Sequence, residues 1–210
     1  MFPFMMGGVV SLAQLDRVRW IMFPEVRVPT QDALFDETDA TAELPSIMRV
    51  LDLQQEQLAR SLGDGHRVIH GVAGSGKTML LGYRAEHLAK AATAASKPVL
   101  ILCYNEPLAR QLASVMAAKG IAGRVHAVHF HKWCRDQLVA FGQELPPDGH
   151  REYTAELVQR VITGVDRRQI PSGQYQAVLI DEGLDFAPEG LRLVVQMVDP
   201  ATNSLLVLYD

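Results

Sequence analysis

Gly71-Val72-Ala73-Gly74-Ser75-Gly76-Lys77-Thr78 stands between a strand-like run, His66–His70, and a segment, Lys77–Ala91, whose apolar residues recur at helical spacing. The octapeptide fits G-x-x-x-x-G-K-[ST], the pattern of a phosphate-binding loop joining a strand to a helix. Each residue type in it has a reason. Glycines let consecutive backbone N–H groups turn inward around phosphate oxygens, and the helix N-terminus adds partial positive charge. Lys77 is the cation for the β- and γ-phosphates of a nucleotide such as ATP, and the Thr78 hydroxyl is the ligand for Mg2+. A plain glycine-rich turn is the alternative reading. The order strand, loop, helix weighs against it.

Outward from this loop, the chain alternates short Val/Ile/Leu-rich runs with amphipathic helices, the pattern of a parallel sheet covered on both faces. The strand candidates are His66–His70, Val99–Cys103, 124–129, Ala177–Ile180 and 205–208. The helix candidates are Lys77–Ala91, 105–119, 153–165 and 188–198. The second of these opens on Asn105 as N-cap, carries Pro107 in its first turn and stops at Gly120. The expectation is one doubly wound α/β domain of the P-loop type.

Ala177-Val-Leu-Ile-Asp181-Glu182 sets two carboxylates at the carboxyl end of an apolar strand, the edge where open α/β sheets bind ligands. Asp181 is suited to hold Mg2+ and Glu182 to orient or deprotonate an attacking water. Alone, the pair reads as a solvated acidic loop. With a phosphate loop about a hundred residues upstream it reads as hydrolytic.

Composition bounds the rest. With 210 residues the chain has room for one full-sized core and not for two nucleotide-binding domains. No apolar run is long enough to cross a membrane. Cys103 and Cys134 lack zinc-like spacing, which favours a reduced, cytoplasmic chain. A metal site from His126, His129, His131 and Cys134 is disfavoured, because alternate strand residues face opposite ways. The net charge of −4 gives no general attraction to nucleic acid. Locally, residues 99–135 carry Arg110, Lys119, Arg124, Lys132 and Arg135 against Glu106 alone. Residues 31–43 are acidic and read as a linker, so the expected division is an extension and linker over 1–48 and the nucleotide-binding domain over 49–210.

Together with the loop, Asp181-Glu182-Gly-Leu-Asp185-Phe186 resembles motif II, and Gly71 to Thr78 motif I, of the superfamily-one helicases of the UvrD/Rep type. Leu51-Asp-Leu-Gln-Gln55 resembles the Q motif, which implies that Gln55 reads adenine; Asp52 and Gln55 also have capping-box spacing, so Gln55 as a helix cap stays open. Leu102-Cys-Tyr104-Asn105-Glu106-Pro-Leu-Ala resembles motif Ia and Val128-His129-Phe130-His131-Lys132-Trp133 motif Ib. The resemblance implies that these loops touch single-stranded DNA. Tyr104, Phe130 and Trp133 are suited to stacking on bases and Lys132 and Arg135 to phosphates, with Asn105, His129 and His131 beside them; burial of Phe130 and Trp133 at a strand-to-helix turn is the alternative. Arg84 lies where the family often carries a basic residue near the nucleotide.

The resemblance covers residues 50–210 and implies the first RecA-like motor domain of a DNA helicase or translocase, with ATP and Mg2+ as cofactors. The family's second RecA-like domain, with its arginine fingers, has no counterpart here. The expectation is near-background hydrolysis by this chain alone. The segment ahead of the linker is similar to the connection found where a nuclease-related domain precedes such a helicase. Leu184 stands where the family commonly has Gln, which removes a hydrogen-bonding group from motif II. That departure motivates a second reading, a nucleotide-binding interaction module that does not translocate. A metabolic P-loop kinase is a third, for which no acceptor lid or basic clamp is visible.

Overall fold

The computed structural model describes residues 55–63, 65–71, 76–147 and 152–209, and the backbone of 25–27. Six strands form one sheet: β1 (Glu25–Arg27), β2 (His66–His70), β3 (Val99–Cys103), β4 (Val125–His129), β5 (Ala177–Ile180) and β6 (Ser204–Tyr209). Their order is β1-β2-β6-β5-β3-β4, and every neighbouring pair is parallel. The helices are α1 over 55–61, α2 (Lys77–Ala91), α3 (Glu106–Ala118), α4 (Phe130–Ala140), α5 (Tyr153–Asp166) and α6 (Pro188–Met197).

Strand residues are divided by parity between two cores, as the two-residue period of a strand requires. Val99, Ile101 and Cys103 of β3 and Ala177 and Leu179 of β5 pack with Ala59, Leu80, Leu81, Leu112 and Met116, which are the inner faces of α1, α2 and α3. Leu100, Leu102, Val178 and Ile180 pack with Trp133, Leu138, Leu157, Val161, Leu193 and Met197 of α4, α5 and α6. β3 and β5 are buried along their whole length, which explains runs without polar alternation.

The expected elements are found with ends shifted by a residue or so: the strand expected from Arg124 begins at Val125, and the strand expected over 205–208 extends to Ser204–Tyr209. Asn105 caps α3 by accepting from the Leu108 N–H at 3.1 Å, and Gly120 ends it with φ +71°. β1 lies within residues 18–28 ahead of the acidic linker, a run that reads as one or two strands, and it joins the sheet by pairing with β2, Val26 opposite Ile69. Two helices, α1 and α4, were not among the bounded helix candidates, although Cys134 itself reads as lying in a helix. α4 follows β4 with no intervening loop, and its buried residues Phe130, Trp133, Cys134, Gln137 and Leu138 repeat at helical spacing. The acidic linker and Asp52 lie outside the described residues. Among the described residues no helix is long and apolar enough to cross a membrane.

Candidate nucleotide site and the adjoining aromatic loops

The carboxyl ends of β2, β6 and β5 lie side by side, and that adjacency assembles the site. The Gly71 N–H donates to the Tyr209 carbonyl at 3.2 Å, tying the exit of β2 to the end of β6. The Asp181 N–H donates to Leu102 O at 3.0 Å, holding the exit of β5 against β3. Gly71, Gly76, Lys77 and Thr78 are described; Val72, Ala73, Gly74 and Ser75 lie outside the described residues.

Lys77 is buried, and its ammonium donates to the Gly71 carbonyl across the loop at 2.6 Å. One residue on, the Thr78 hydroxyl donates to Asp181 Oδ2 at 2.9 Å, joining positions 103 apart in the chain. Asp181 is 1% exposed, and its other oxygen accepts the Glu182 N–H at 3.1 Å. Burial and the Asp181 carboxylate push the Cys103 thiol, at the end of the adjacent β3, up to about 12. Burial likewise raises Cys134 on α4, so both cysteines are buried thiols held protonated at neutral pH.

Two backbone conformations are unusual here. Gly76 has φ +81°, and a Cβ added to it would fall onto the Gln55 carboxamide. Glycine at that position therefore permits both the left-handed turn and the close approach of α1. Glu182 has φ 53° and ψ 56°, a left-handed conformation that is strained for a residue with a side chain. The next residue, Gly183, lies so close to β6 that a Cβ would collide with the Val207 side chain.

Arg84 is buried, with Nη1 donating to Ala59 O and Nη2 to Gly63 O, both at 3.2 Å. Its guanidinium is thus engaged at the C-terminal end of α1, where the expectation had set it toward the nucleotide.

Phe186, at the end of the acidic turn, is buried and stands edge-on to Tyr104 with ring centroids 5.4 Å apart, and 4.9 Å from Phe130. The Tyr104 hydroxyl lies 3.4 Å from His131 Nε2, and the His129 and His131 rings are 5.3 Å apart. Burial first, and the charge of His129 second, depress the basicity of His131. The expectation that Phe130 and Trp133 stack on bases is corrected: each is 3% exposed. The Trp133 indole N–H donates to the Tyr175 hydroxyl at 3.0 Å inside the core. A ring whose faces are already packed has none to offer a base. Asn105 and Lys132 are exposed, and Tyr104, His129 and His131 are partly so.

The local excess of basic residues is also largely compensated. Arg110 pairs with Glu106 and Lys132 with Asp136, each at 2.6 Å, while Lys119 pairs with Glu86. Arg124 donates to the Ala92 and Thr93 carbonyls. Asp136 lies one residue beyond the counted stretch, and Glu86 on a different helix, so a sequence window misses both. Leu184 is 73% exposed at the tip of the acidic turn.

Comparison with protein families finds that a family described as an AAA domain matches residues 54–210. No curated protein matches the chain.

Proposed function

The chain belongs to the AAA domain family and has a P-loop nucleoside-triphosphatase α/β fold, and on that premise we propose that it is the ATP-binding first motor domain of a UvrD/Rep-type DNA helicase or translocase. The observation that carries the proposal is the Thr78–Asp181 hydrogen bond, because it brings the loop hydroxyl and the strand-end carboxylate to one point beside Lys77 and Glu182. A hydroxyl and a carboxylate are hard oxygen donors of the kind Mg2+ takes, so the pair fits that ion. Thr78 and Asp181 would hold the ion, which would supply positive charge against the charge that develops on the phosphates.

The protein groups then divide the work. Lys77 turns from the Gly71 carbonyl to the β- and γ-phosphates. The loop N–H groups from Gly71 to Thr78, among them those of Val72, Ala73, Gly74 and Ser75, cradle the phosphates. Glu182 takes the proton from the attacking water, and Gln55, against Gly76, meets the adenine edge. Tyr104, Asn105, His129, His131 and Lys132 contact single-stranded DNA, in a reduced cytoplasmic setting. Coupling of hydrolysis to movement requires a second RecA-like domain to complete the cleft.

The test measures ATP turnover with and without single-stranded DNA, on this chain and on a longer chain that carries a second motor domain. DNA-stimulated turnover is expected of the longer chain, reduced about a hundredfold or more by Glu182→Gln. Absence of DNA stimulation there removes the motor reading. Exposed Leu184 favours a second reading, a nucleotide-binding interaction module that does not translocate. A chain that binds nucleotide, ignores DNA and forms a stable complex with an unrelated protein decides for the module.

A further inference from the structure

Arg84 is a buried cation with two of its hydrogen bonds going to backbone carbonyls at one helix end. The last four carbonyls of a helix lack intrahelical partners, and the negative end of the helix dipole favours a cation there. Ala59 O is one of those carbonyls of α1, and Gly63 lies just past its end. The guanidinium reaches the two carbonyls with two separate nitrogens held in a fixed fork, where an ammonium has a single nitrogen to offer.

This attachment bears on Gln55. Gln55 and Ala59 are one helical turn apart, so they share a face of α1. That face meets α2 at two points: the Gln55 carboxamide at Gly76, and Ala59 with Gly63 at Arg84. Earlier residues pair with earlier residues, so α1 and α2 run in the same direction, fastened near both ends. Holding Ala59 fixes the rotation and the axial position of α1, and with them the position of the Gln55 amide over the start of α2. Leu62 and Ala59, both buried in the same core, leave the helix little freedom to turn about the fastening.

We propose that Arg84 is a positioning residue for base recognition: by clamping the end of α1 it sets the Gln55 carboxamide at the height where adenine is read, and it does not itself touch the phosphates. The inference rests on the reading of Gln55 as the adenine contact, and goes beyond it by assigning the discrimination between bases to a residue on the phosphate-loop helix.

The test titrates the full chain and its Arg84→Met, Arg84→Lys, Gln55→Ala and Gln55→Ala/Arg84→Met variants with ATP, GTP and inorganic tripolyphosphate, each with Mg2+, by calorimetry. Circular dichroism reports whether each is folded. Wild type is expected to prefer ATP to GTP. Arg84→Met is expected to weaken ATP about tenfold, the scale of one lost directed hydrogen bond, and to bring the ATP:GTP ratio near that of Gln55→Ala. Tripolyphosphate affinity stays unchanged, and the double variant is no weaker for ATP than Gln55→Ala, because both changes remove one interaction. A wild-type ATP:GTP ratio in Arg84→Met, or equal losses of ATP and tripolyphosphate, overturns the inference while a sensitive Gln55→Ala leaves the Gln55 reading standing. If wild type has no preference, or Gln55→Ala leaves the preference intact, the Gln55 reading falls and the inference with it. Should Arg84→Met not fold, Arg84→Lys decides: it reaches one carbonyl, so an intermediate ratio supports the inference and a wild-type ratio overturns it.

Discussion

At the residue scale, the candidate site holds a tension between stability and chemistry, concentrated in Glu182. Its left-handed backbone costs about 1–2 kcal/mol for a residue with a Cβ, and glycine adopts the same conformation at no such cost. The strain is imposed from both sides, since the Glu182 N–H is held by Asp181 and Gly183 is pressed against Val207. Glu182→Gly is therefore expected to leave the melting temperature unchanged or raise it, while removing hydrolysis, as befits strain kept for a positioned group. Thermal unfolding of the two chains checks this. A melting temperature several degrees lower in the variant means that the Glu182 side chain stabilises the fold instead. Gly76 and Gly183 show how much of this geometry was legible in the residues. The phosphate-loop pattern demanded glycine at Gly76, whereas nothing near Gly183 in the chain announces that β6 passes against it, because that contact joins residues brought together only by the sheet.

At the element scale, the parallel strands and α2, α3, α5 and α6 were legible, since apolar runs and capping residues are local signals. β1 was legible only as a strand-like run over 18–28, because three residues of edge strand carry no bounds of their own and are defined by pairing with β2. α4 was legible only around Cys134, not in its start at Phe130, and that explains the misreading of two candidate site residues. Phe130-His131-Lys132-Trp133 looks like an aromatic and basic loop when read as a string, but wound as a helix it sends Phe130 and Trp133 inward and leaves Lys132 in solvent. The two aromatic rings serve the second core, with Trp133 bonded to Tyr175 and Phe130 packed against Phe186, their rings tilted by 53°. Trp133→Ala is expected to destabilise the chain by about 3–5 kcal/mol, the range for truncating a buried aromatic. Trp133→Phe is expected to cost about 1 kcal/mol by removing the indole donor to the buried Tyr175 hydroxyl, which keeps the longer bond from Gln137 Nε2 at 3.5 Å. Urea unfolding measures both, and DNA binding by the folded fraction should be unaltered. A Trp133→Phe chain of native stability that fails to bind DNA restores the ring to the nucleic-acid surface and refutes its place in the core.

At the scale of the whole molecule, the sheet separates two layers with different work, and the acidic turn joins them. Asp181 reaches the α2 side through Thr78, while Phe186, five residues later, is buried on the α4 side against Tyr104. The loop proposed to contact nucleic acid is thus one aromatic contact away from the carboxylates proposed to act on ATP. The charges limit what that surface can do. The chain carries −4 overall, and Lys119 and Lys132 are already paired with acids, so binding a strand would exchange existing ion pairs for phosphate contacts. Few condensed counterions would then be released. For single strands the logarithm of the binding constant falls with the logarithm of salt concentration by about 0.7 per phosphate neutralised, so about two contacts predict a slope no steeper than about −1.5. Fluorescence anisotropy of a labelled single strand, titrated between about 50 and 200 mM salt, measures the slope directly. A slope of about −4 or beyond means that five or more cations meet the strand, and that the ion pairs seen in the free chain open when DNA binds. A shallow slope locates the affinity in Tyr104, Asn105 and the two histidines instead, where stacking and hydrogen bonding outweigh charge.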